Sequence, residues 1–225
     1  YRRYFRDQAL HNSLFDTADP QTLSRIYDYI NDFKMFRYEP PRLVSLKELT
    51  GWKLDDEGIR CKKPYSFDVI YCDIEVEGRE VRRWTQPLFR ARGIADFGLF
   101  TTVQDGKRLF LVRALSEPGC FDGIELGPTL QREAVCAQEP DKIEQAFLEQ
   151  YRLREGVLYD VILSEEGGRF YQEQNRNMIL EISADRLNPL PPGYFWVDYR
   201  TLNLLTQVNN CLNIQLRNLL SLLEV

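Results

Sequence analysis

Apolar residues recur at helical spacing near the start of the chain, between residues 20 and 36. In DPQTLSRIYDYINDFKMF, one stripe is formed by Leu23, Ile26, Tyr27, Ile30 and Phe33. Asp19 is a favoured N-cap residue and Pro20 suits the first helical turn. The pattern therefore predicts an amphipathic helix that ends before Pro40 and Pro41.

From residue 65 onward, the pattern becomes typical of strands. SFDVIYCDIEV and REVRRWTQPLF are rich in β-branched and aromatic residues and meet across Glu77-Gly78, while FGLFTTVQ and RLFLVRAL meet across Asp105-Gly106. Such pairs predict antiparallel hairpins. PDKIEQAFLEQYR predicts a helix, and VLYDVIL and MILEI predict two further strands.

The C-terminal segment TLNLLTQVNNCLNIQLRNLLSLL predicts two short helices broken at Asn209-Asn210. One face of the second helix carries Leu216, Leu219, Leu220 and Leu223. We therefore expect an α+β protein, with a mixed or mainly antiparallel sheet flanked by helices. Residues 1–64 are expected to form an N-terminal helical arm and lead-in, and residues 65–225 one structural unit that ends in the helical pair.

Composition narrows the possible partners and the compartment. The chain has 225 residues, 29 Lys and Arg, 34 Asp and Glu, and a net charge of −5, which argues against general binding of nucleic acid or anionic membranes. No run reaches transmembrane length and no signal-peptide pattern is present. Five scattered cysteines without a CxxC pair favour neither disulfides nor zinc, so we expect a cytoplasmic protein. Because the chain starts at Tyr1, it remains open whether it is part of a longer protein.

Three polar segments interrupt the predicted scaffold, and polar loops beside rigid strands are common places for functional sites. They are RWTQP at residues 83–87, SEPGCFDGIELGPTLQRE at 116–133 and SEEGGRFYQEQNRN at 164–177. The third lies between two predicted strands, and we expect it to form a ligand-binding turn.

The order of these motifs resembles the NDP-hexose 2,3-dehydratase family from about residue 35 onward. The resemblance rests on WTQP at 84–87, EPG at 117–119, LGPTLQ at 126–131, SEEGGRF at 164–170, NRNM at 175–178, the FWV segment at 195–197 and the helix after Asn213. It implies a Nudix-like fold, with two related modules in a full protein, and no metal or nicotinamide cofactor. It also implies removal of the C2 hydroxyl group from a nucleotide-linked, most simply dTDP-linked, 4-keto-6-deoxyhexose.

The chain departs from the family pattern in several places. It has the length of one module, Cys120 stands where asparagine is usual, and Cys61 stands where histidine is common. The segment REAVCAQEP also lacks the expected polar pattern. The glutamate-rich Nudix box is absent, which argues against a metal-dependent pyrophosphohydrolase. Two hypotheses remain: a dehydratase, and a non-catalytic nucleotide-sugar-binding module of the same fold.

The implied reaction needs a base that removes the C3 proton beside the C4 ketone and an acid that assists departure of the C2 hydroxyl group. The one histidine, His11, lies outside the motifs, so carboxylates and tyrosines must carry the protons. Glu117 and Glu165 match the family pattern and are the catalytic candidates. The alternatives are a turn-capping residue for Glu117 and a solvated loop charge for Glu165.

Substrate binding is assigned to arginines, amides and aromatic rings. Arg169 and Arg176 suit a diphosphate, and their spacing within one loop could bring both to one pocket. Ion pairs with Glu165, Glu166 or Glu173 are the alternative. The amides that suit sugar hydroxyls or O4 belong to Gln86, Gln131, Asn175 and Asn177, of which Asn177 could instead tie the loop to the backbone. Trp84 or Tyr171 could stack on the base or sugar, or belong to the core.

Self-association follows from the single-module length. If the family acts through two modules, two copies of this chain are expected to replace them as a homodimer. The expected contacts are the leucine-rich C-terminal helices or the N-terminal arm. The alternative is that these helices only cover the sheet.

Overall fold

The strands form two sheets in the computed structural model, which describes residues 7–223. The smaller sheet contains β1 (Trp52–Asp55), β2 (Gly58–Cys61), β3 (Phe67–Glu75) and β4 (Arg83–Ala91). The larger sheet contains β5 (Ala95–Gln104), β6 (Lys107–Leu115), β7 (Glu125–Gly127), β8 (Leu130–Arg132), β9 (Val157–Ser164), β10 (Gln174–Glu181) and β11 (Tyr194–Asp198).

The larger sheet is mixed. Its main order is β11-β6-β5-β10-β9, with β7 paired to β6 and β8 paired to β5. β10 runs parallel to β5, and the other pairs are antiparallel. The helices are α1 (Gln8–Phe15), α2 (Pro20–Phe36), α3 (Lys142–Arg152), α4 (Tyr199–Thr206) and α5 (Ile214–Ser221). The predicted α+β class, with a mixed sheet flanked by helices, is confirmed.

Local sequence explains where these elements begin and turn. Asp105 and Gly106 have φ values of 50° and 72° in the predicted β5–β6 hairpin, a conformation that glycine and aspartate tolerate. The β3–β4 connection is longer than the predicted turn at Glu77-Gly78. It is closed by the Val76 N–H, which donates to the Arg82 carbonyl at 2.9 Å. At α2, the predicted cap Asp19 accepts hydrogen bonds from two backbone N–H groups.

Two apolar cores cover the two faces of the larger sheet. One core joins β5, β6, β10 and β11 to α1, α2, α4 and α5, and the other packs α3 against β5, β6, β8 and β10. Side chains alternate between the faces, so Leu99 and Ile179 belong to the first core, and Phe100 and Leu180 to the second. Phe147 of α3 is fully buried in the second core.

The predicted division at residue 64 falls inside the smaller sheet, because Ile59 of β2 pairs with Val69 of β3. Ile26 and Ile30 of α2 also belong to the first core of the larger sheet. Within residues 7–64, the predicted arm is therefore integrated with the rest of the chain. The leucine face of α5 is buried in the same core, so that face covers the chain's own sheet.

A connection between the two sheets fixes the third polar segment. The Phe89 N–H of β4 donates to the Arg169 carbonyl at 2.8 Å, and the Tyr171 N–H donates to the Phe89 carbonyl at 2.7 Å. Phe170 lies between Arg169 and Tyr171 in the chain, and its ring centroid is 5.9 Å from that of Phe89. The loop after β9 is thus held against the smaller sheet.

No helix within residues 7–223 is both long enough and apolar enough to span a membrane.

Gly98 sets how closely α3 approaches the sheet, because a Cβ atom at this position would lie 2.3 Å from the Phe147 ring. We expect Gly98→Ala to lower the free energy of unfolding by about 1–3 kcal/mol, the usual cost of overpacking. Denaturant titration measures this change. Gly51→Ala is the control, since a Cβ there meets no atom within 4 Å.

Combining Gly98→Ala with Phe147→Leu tests the cause, because the smaller side chain leaves room for the new methyl group. The double variant should lose less stability than the sum of the two single changes. Equal effects of Gly98→Ala and Gly51→Ala would contradict the packing argument.

Candidate active site

A cleft of about 760 Å³ opens where the two sheets, the loop after β9 and the beginning of α5 meet. Its walls combine acidic and aromatic side chains with two arginines. The acidic residues are Glu117, Glu125, Glu133, Glu165 and Glu173; the aromatic ones are Phe67, Phe89, Phe97 and Phe170; the arginines are Arg169 and Arg217. The cleft is therefore strongly acidic with basic groups beside the carboxylates.

Glu117 belongs to a chain of hydrogen bonds that reaches α5. The Gln131 amide donates to the Glu117 carboxylate, and the Asn213 amide donates to Gln131 Oε1 at 2.8 Å. Asn213 also caps α5 by accepting from the Leu216 N–H. The predicted residues Glu117 and Gln131 are therefore linked, with Gln131 supporting Glu117 from behind.

A second amide holds Glu165, beside the buried Glu173. Asn175 Nδ2 donates to Glu165 Oε1 at 2.8 Å and to Glu173 Oε1 at 3.3 Å. Asn175 is 2% exposed and Glu173 7%. One oxygen of each side chain, Asn175 Oδ1 and Glu173 Oε2, has no hydrogen-bond partner within residues 7–223. Leaving such atoms unpaired costs about 1–3 kcal/mol each, which a polar ligand would recover.

Burial and like charge raise the pKa values of three glutamates that line the cleft. Burial, followed by the charges of Glu173, Glu117 and Glu165, raises the pKa of Glu133 to about 7. Burial also raises the pKa of Glu173, and the charge of Glu165 adds to that effect against the Asn175 hydrogen bond. The pKa of Glu125 is raised by burial and by Glu117. The cleft can therefore hold protons at neutral pH.

Sequence reasoning did not select Glu125, Glu133 or Glu173 as site residues. Two of them carry a periodic signal that was available. Glu133 lies two positions after Gln131, and Glu173 two positions before Asn175, so each extends the face of an adjoining strand end. Other interpretations compete with this signal, because Glu173 is also an expected ion-pair partner of the arginines and Glu133 lies within the divergent segment REAVCAQEP.

The two predicted arginines do not share a pocket. Arg169 lies at the cleft, with Nε 2.7 Å from Glu166 Oε2. Arg176 lies on the other face of β10. Its Nε is 3.9 Å from Asp160 Oδ1, and its guanidinium group lies above the Tyr151 ring of α3. The reason is strand alternation, because β10 begins at Gln174 and directs Arg176 away from the face that carries Asn175. The prediction that the whole 164–177 segment forms a turn was therefore wrong at its end.

The remaining predicted binding residues lie around the loop after β9. The Trp84 Nε1–H donates to Gln86 Oε1 at 2.7 Å, and Gln86 Nε2 donates to the Gly168 carbonyl at 2.9 Å. Tyr171 is exposed and lines a second depression, which shares Glu165, Phe170 and Glu173 with the cleft.

Asn177 is buried and donates to the Asn175 carbonyl at 3.1 Å. The structure thus brings Glu117, Glu165, Arg169 and Asn175 to the cleft, with Gln131 directly behind.

Within residues 7–223, no three or more His, Cys, Asp or Glu side chains are grouped so that they could hold a metal ion.

Residues 23–223 match the family model described as NDP-hexose 2,3-dehydratase. The chain therefore belongs to the NDP-hexose 2,3-dehydratase family, as the motifs predicted. Similar curated proteins are each named dTDP-4-dehydro-6-deoxy-alpha-D-glucopyranose 2,3-dehydratase. The protein from Streptomyces violaceoruber is 32% identical over 82% of this chain and 42% of its own length. The one from Saccharopolyspora spinosa is 32% identical over 96% of this chain and 45% of its own length.

The chain spans less than half the length of these curated relatives. A solved structure described as a crystal structure of ADP compounds hydrolase matches with a TM-score of 0.42 and 12% identity, covering 82% of this chain and 92% of that one. A likeness of this size carries no argument about the present fold. The α+β class rests on the elements described above, and the Nudix-like fold stays an expectation from the family.

Proposed function

We propose that the chain is a nucleotide-sugar 2,3-dehydratase module. It removes the C2 hydroxyl group of an NDP-4-keto-6-deoxyhexose, with dTDP as the expected nucleotide, and yields an NDP-3,4-diketo-2,6-dideoxyhexose. Family membership supports the reaction class. The observation that carries the proposal is the acidic cleft, which Glu117 and Glu165 both line and in which each accepts a hydrogen bond from an amide.

The chemistry uses proton transfer at two neighbouring carbons. The C4 ketone acidifies the C3 hydrogen, so a carboxylate can remove it, and an amide donor near O4 stabilises the enolate. The C2–O bond then breaks and water leaves, which forms a double bond between C2 and C3. The resulting enol gains a proton at C2 and loses its O3 proton to give the diketone. Glu117 and Glu165 are the proposed acid/base residues.

Charge suggests how the ligand lies in the cleft. The carboxylates repel phosphate, so the uncharged hexose is expected beside Glu117, Glu165 and Glu133. The diphosphate is expected at the two arginines of the cleft, Arg169 and Arg217, where guanidinium groups match phosphate oxygens. Arg176 lies on the other face of β10 and is not part of this arrangement.

A non-catalytic nucleotide-sugar-binding module is the second candidate. Cys120 lines the cleft at a position where the family usually has asparagine, and burial raises the pKa of its thiol. A thiol replaces the hydrogen-bonding capacity of an amide poorly. This candidate predicts the same ligand without turnover, so the distinction between the two is kinetic.

Incubation with a dTDP-linked 4-keto-6-deoxyglucose in heavy water, followed by NMR at C2 and C3, separates these candidates. The dehydratase proposal predicts loss of the C2 hydroxyl group and formation of the diketo product. Glu117→Gln and Glu165→Gln should each lower the rate by about 10²–10⁴-fold, the usual contribution of acid/base catalysis. Glu149→Gln, an exposed change on α3, is the control. Binding without any change at C2 or C3 would favour the binding module.

We also propose that two copies of the chain associate. The leucine face of α5 is buried in the chain's own core, so the contact must use another surface. The end of α2 and the segment after it expose Met35, Phe36 and Leu43 at 72%, 75% and 99%, and exposed apolar clusters often mark protein contacts. Sedimentation equilibrium should show a dimer that Phe36→Glu weakens. A monomer at every concentration would contradict this.

A further inference from the structure

Glu133 differs from the two proposed acid/base residues in its surroundings. Glu117 and Glu165 each accept a hydrogen bond from an amide. The Glu133 carboxyl lines the same cleft, yet it makes no hydrogen bond or ion pair within residues 7–223. A carboxylate that accepts hydrogen bonds is stabilised as an anion, whereas a half-buried carboxyl group without a donor retains a proton more readily.

The neighbouring cation does not neutralise Glu133. Arg132 is directed to the other side of the chain, where Nη1 lies 3.5 Å from Glu144 Oε2 and Nη2 donates to the Gln138 carbonyl at 2.6 Å. The backbone just beyond Glu133 is fixed, because Ser66 Oγ donates to the Val135 carbonyl at 2.7 Å. Glu133 therefore faces the acidic cleft from an anchored segment.

Independent evidence for a ligand at this place comes from two other residues that line the cleft, Glu173 and Asn175. Asn175 Oδ1 and Glu173 Oε2 are buried and lack a partner within the described chain. The Asn175 amide orientation is fixed by its two carboxylate acceptors, so Oδ1 can only accept. A ligand that carries hydroxyl groups would supply the missing donor.

The dehydration requires a balanced set of protons. The sugar loses one proton from C3 and later one from O3, while it gains one on the departing hydroxyl oxygen and one at C2. Two proton donations therefore match two proton acceptances, and no electrons enter or leave. A cleft that contains both a protonated carboxyl group and ionised carboxylates can complete this cycle and return to its starting state.

We propose that Glu133 is the proton donor to the departing C2 hydroxyl group, which leaves Glu117 and Glu165 to accept protons. This assignment rests on the proposed dehydratase function and adds a catalytic residue to it. As the C2–O bond breaks, its electron pair stays on oxygen, the Glu133 proton joins that oxygen and water departs. Glu133 is then an anion that recovers a proton from the residue that took the C3 hydrogen or from solvent.

The acidity of the cleft supports this division of roles. Burial and the charges of Glu173, Glu117 and Glu165 raise the pKa of Glu133 to about 7, so a large fraction is protonated at neutral pH. The cationic groups that line the same cleft are Arg169 and Arg217. Activity that needs protonated Glu133 is present below this pKa and is lost as the pH rises through it.

The variant Glu133→Gln separates the two halves of the reaction in heavy water. The amide keeps the size of the side chain but cannot donate its proton to a leaving oxygen. We expect loss of the C2 hydroxyl group to slow by at least about 100-fold, while deuterium still enters C3. Glu149→Gln should leave both rates unchanged. Glu117→Gln or Glu165→Gln, whichever removes the base, should stop the exchange at C3 as well.

A substrate analogue with fluorine at C2 provides the rescue test, because fluoride leaves without taking a proton. With this analogue, Glu133→Gln should react within about threefold of the unsubstituted chain, since the 10²–10⁴-fold value of an acid is no longer needed. The fall in rate at basic pH, with its midpoint near 7 in the unsubstituted chain, should be absent for the analogue. Retained thermal unfolding temperature and nucleotide binding would show that the variant is folded.

Three results would overturn the assignment. Elimination by Glu133→Gln at the unsubstituted rate would mean that another group donates the proton. If Glu133→Gln loses both the C3 exchange and the elimination, and the C2-fluorinated analogue does not restore the rate, Glu133 is the base. If the unsubstituted chain performs neither exchange nor elimination, the proposed function itself fails and the role of Glu133 falls with it.

Discussion

The backbone clamp at Phe89 is the contact on which the site depends. Its two hydrogen bonds, to Arg169 and from Tyr171, fasten the loop after β9 to the edge strand of the smaller sheet. Without these bonds, Asn175 and Gln131 would lie on an open face of the larger sheet. The strands of that sheet do not form the rest of the cleft by themselves. Beside the clamp, the motifs WTQP and SEEGGRF are also in contact, because Gln86 donates to the Gly168 carbonyl.

Once the cleft is enclosed, electrostatics determines its chemistry. Five glutamates line the cleft, and burial together with neighbouring like charges raises the pKa of Glu125, Glu133 and Glu173. The amides of Gln131 and Asn175 donate hydrogen bonds to Glu117 and Glu165, while no such donor reaches Glu133. Burial and the neighbouring carboxylates raise the pKa of Glu133 to about 7, which suits the proton donor that an acid/base elimination requires.

Periodicity predicted much of the fold, because α2, the β5–β6 hairpin and the broken C-terminal helices are encoded by local patterns and caps. The division at residue 64 follows from motifs that do not reveal the pairing of β2 with β3 across that position. Motifs predicted Glu117, Glu165 and Asn175, which all line the cleft, but the direction of Arg176 depends on where β10 begins. The acidity of Glu133 depends on charges that meet only in the folded chain.

The most direct test of the central claim is to locate the nucleotide on the folded protein. Titration with dTDP, followed by NMR of side-chain amides and arginine Nε–H groups, should shift the signals of Asn175, Gln131, Arg169 and Arg217, which lie in or directly behind the cleft. Arg176, which lies beside Asp160 and Tyr151 on the other face of β10, should remain unchanged. Shifts confined to Arg176 and its neighbours, with the cleft amides unaffected, would contradict the account.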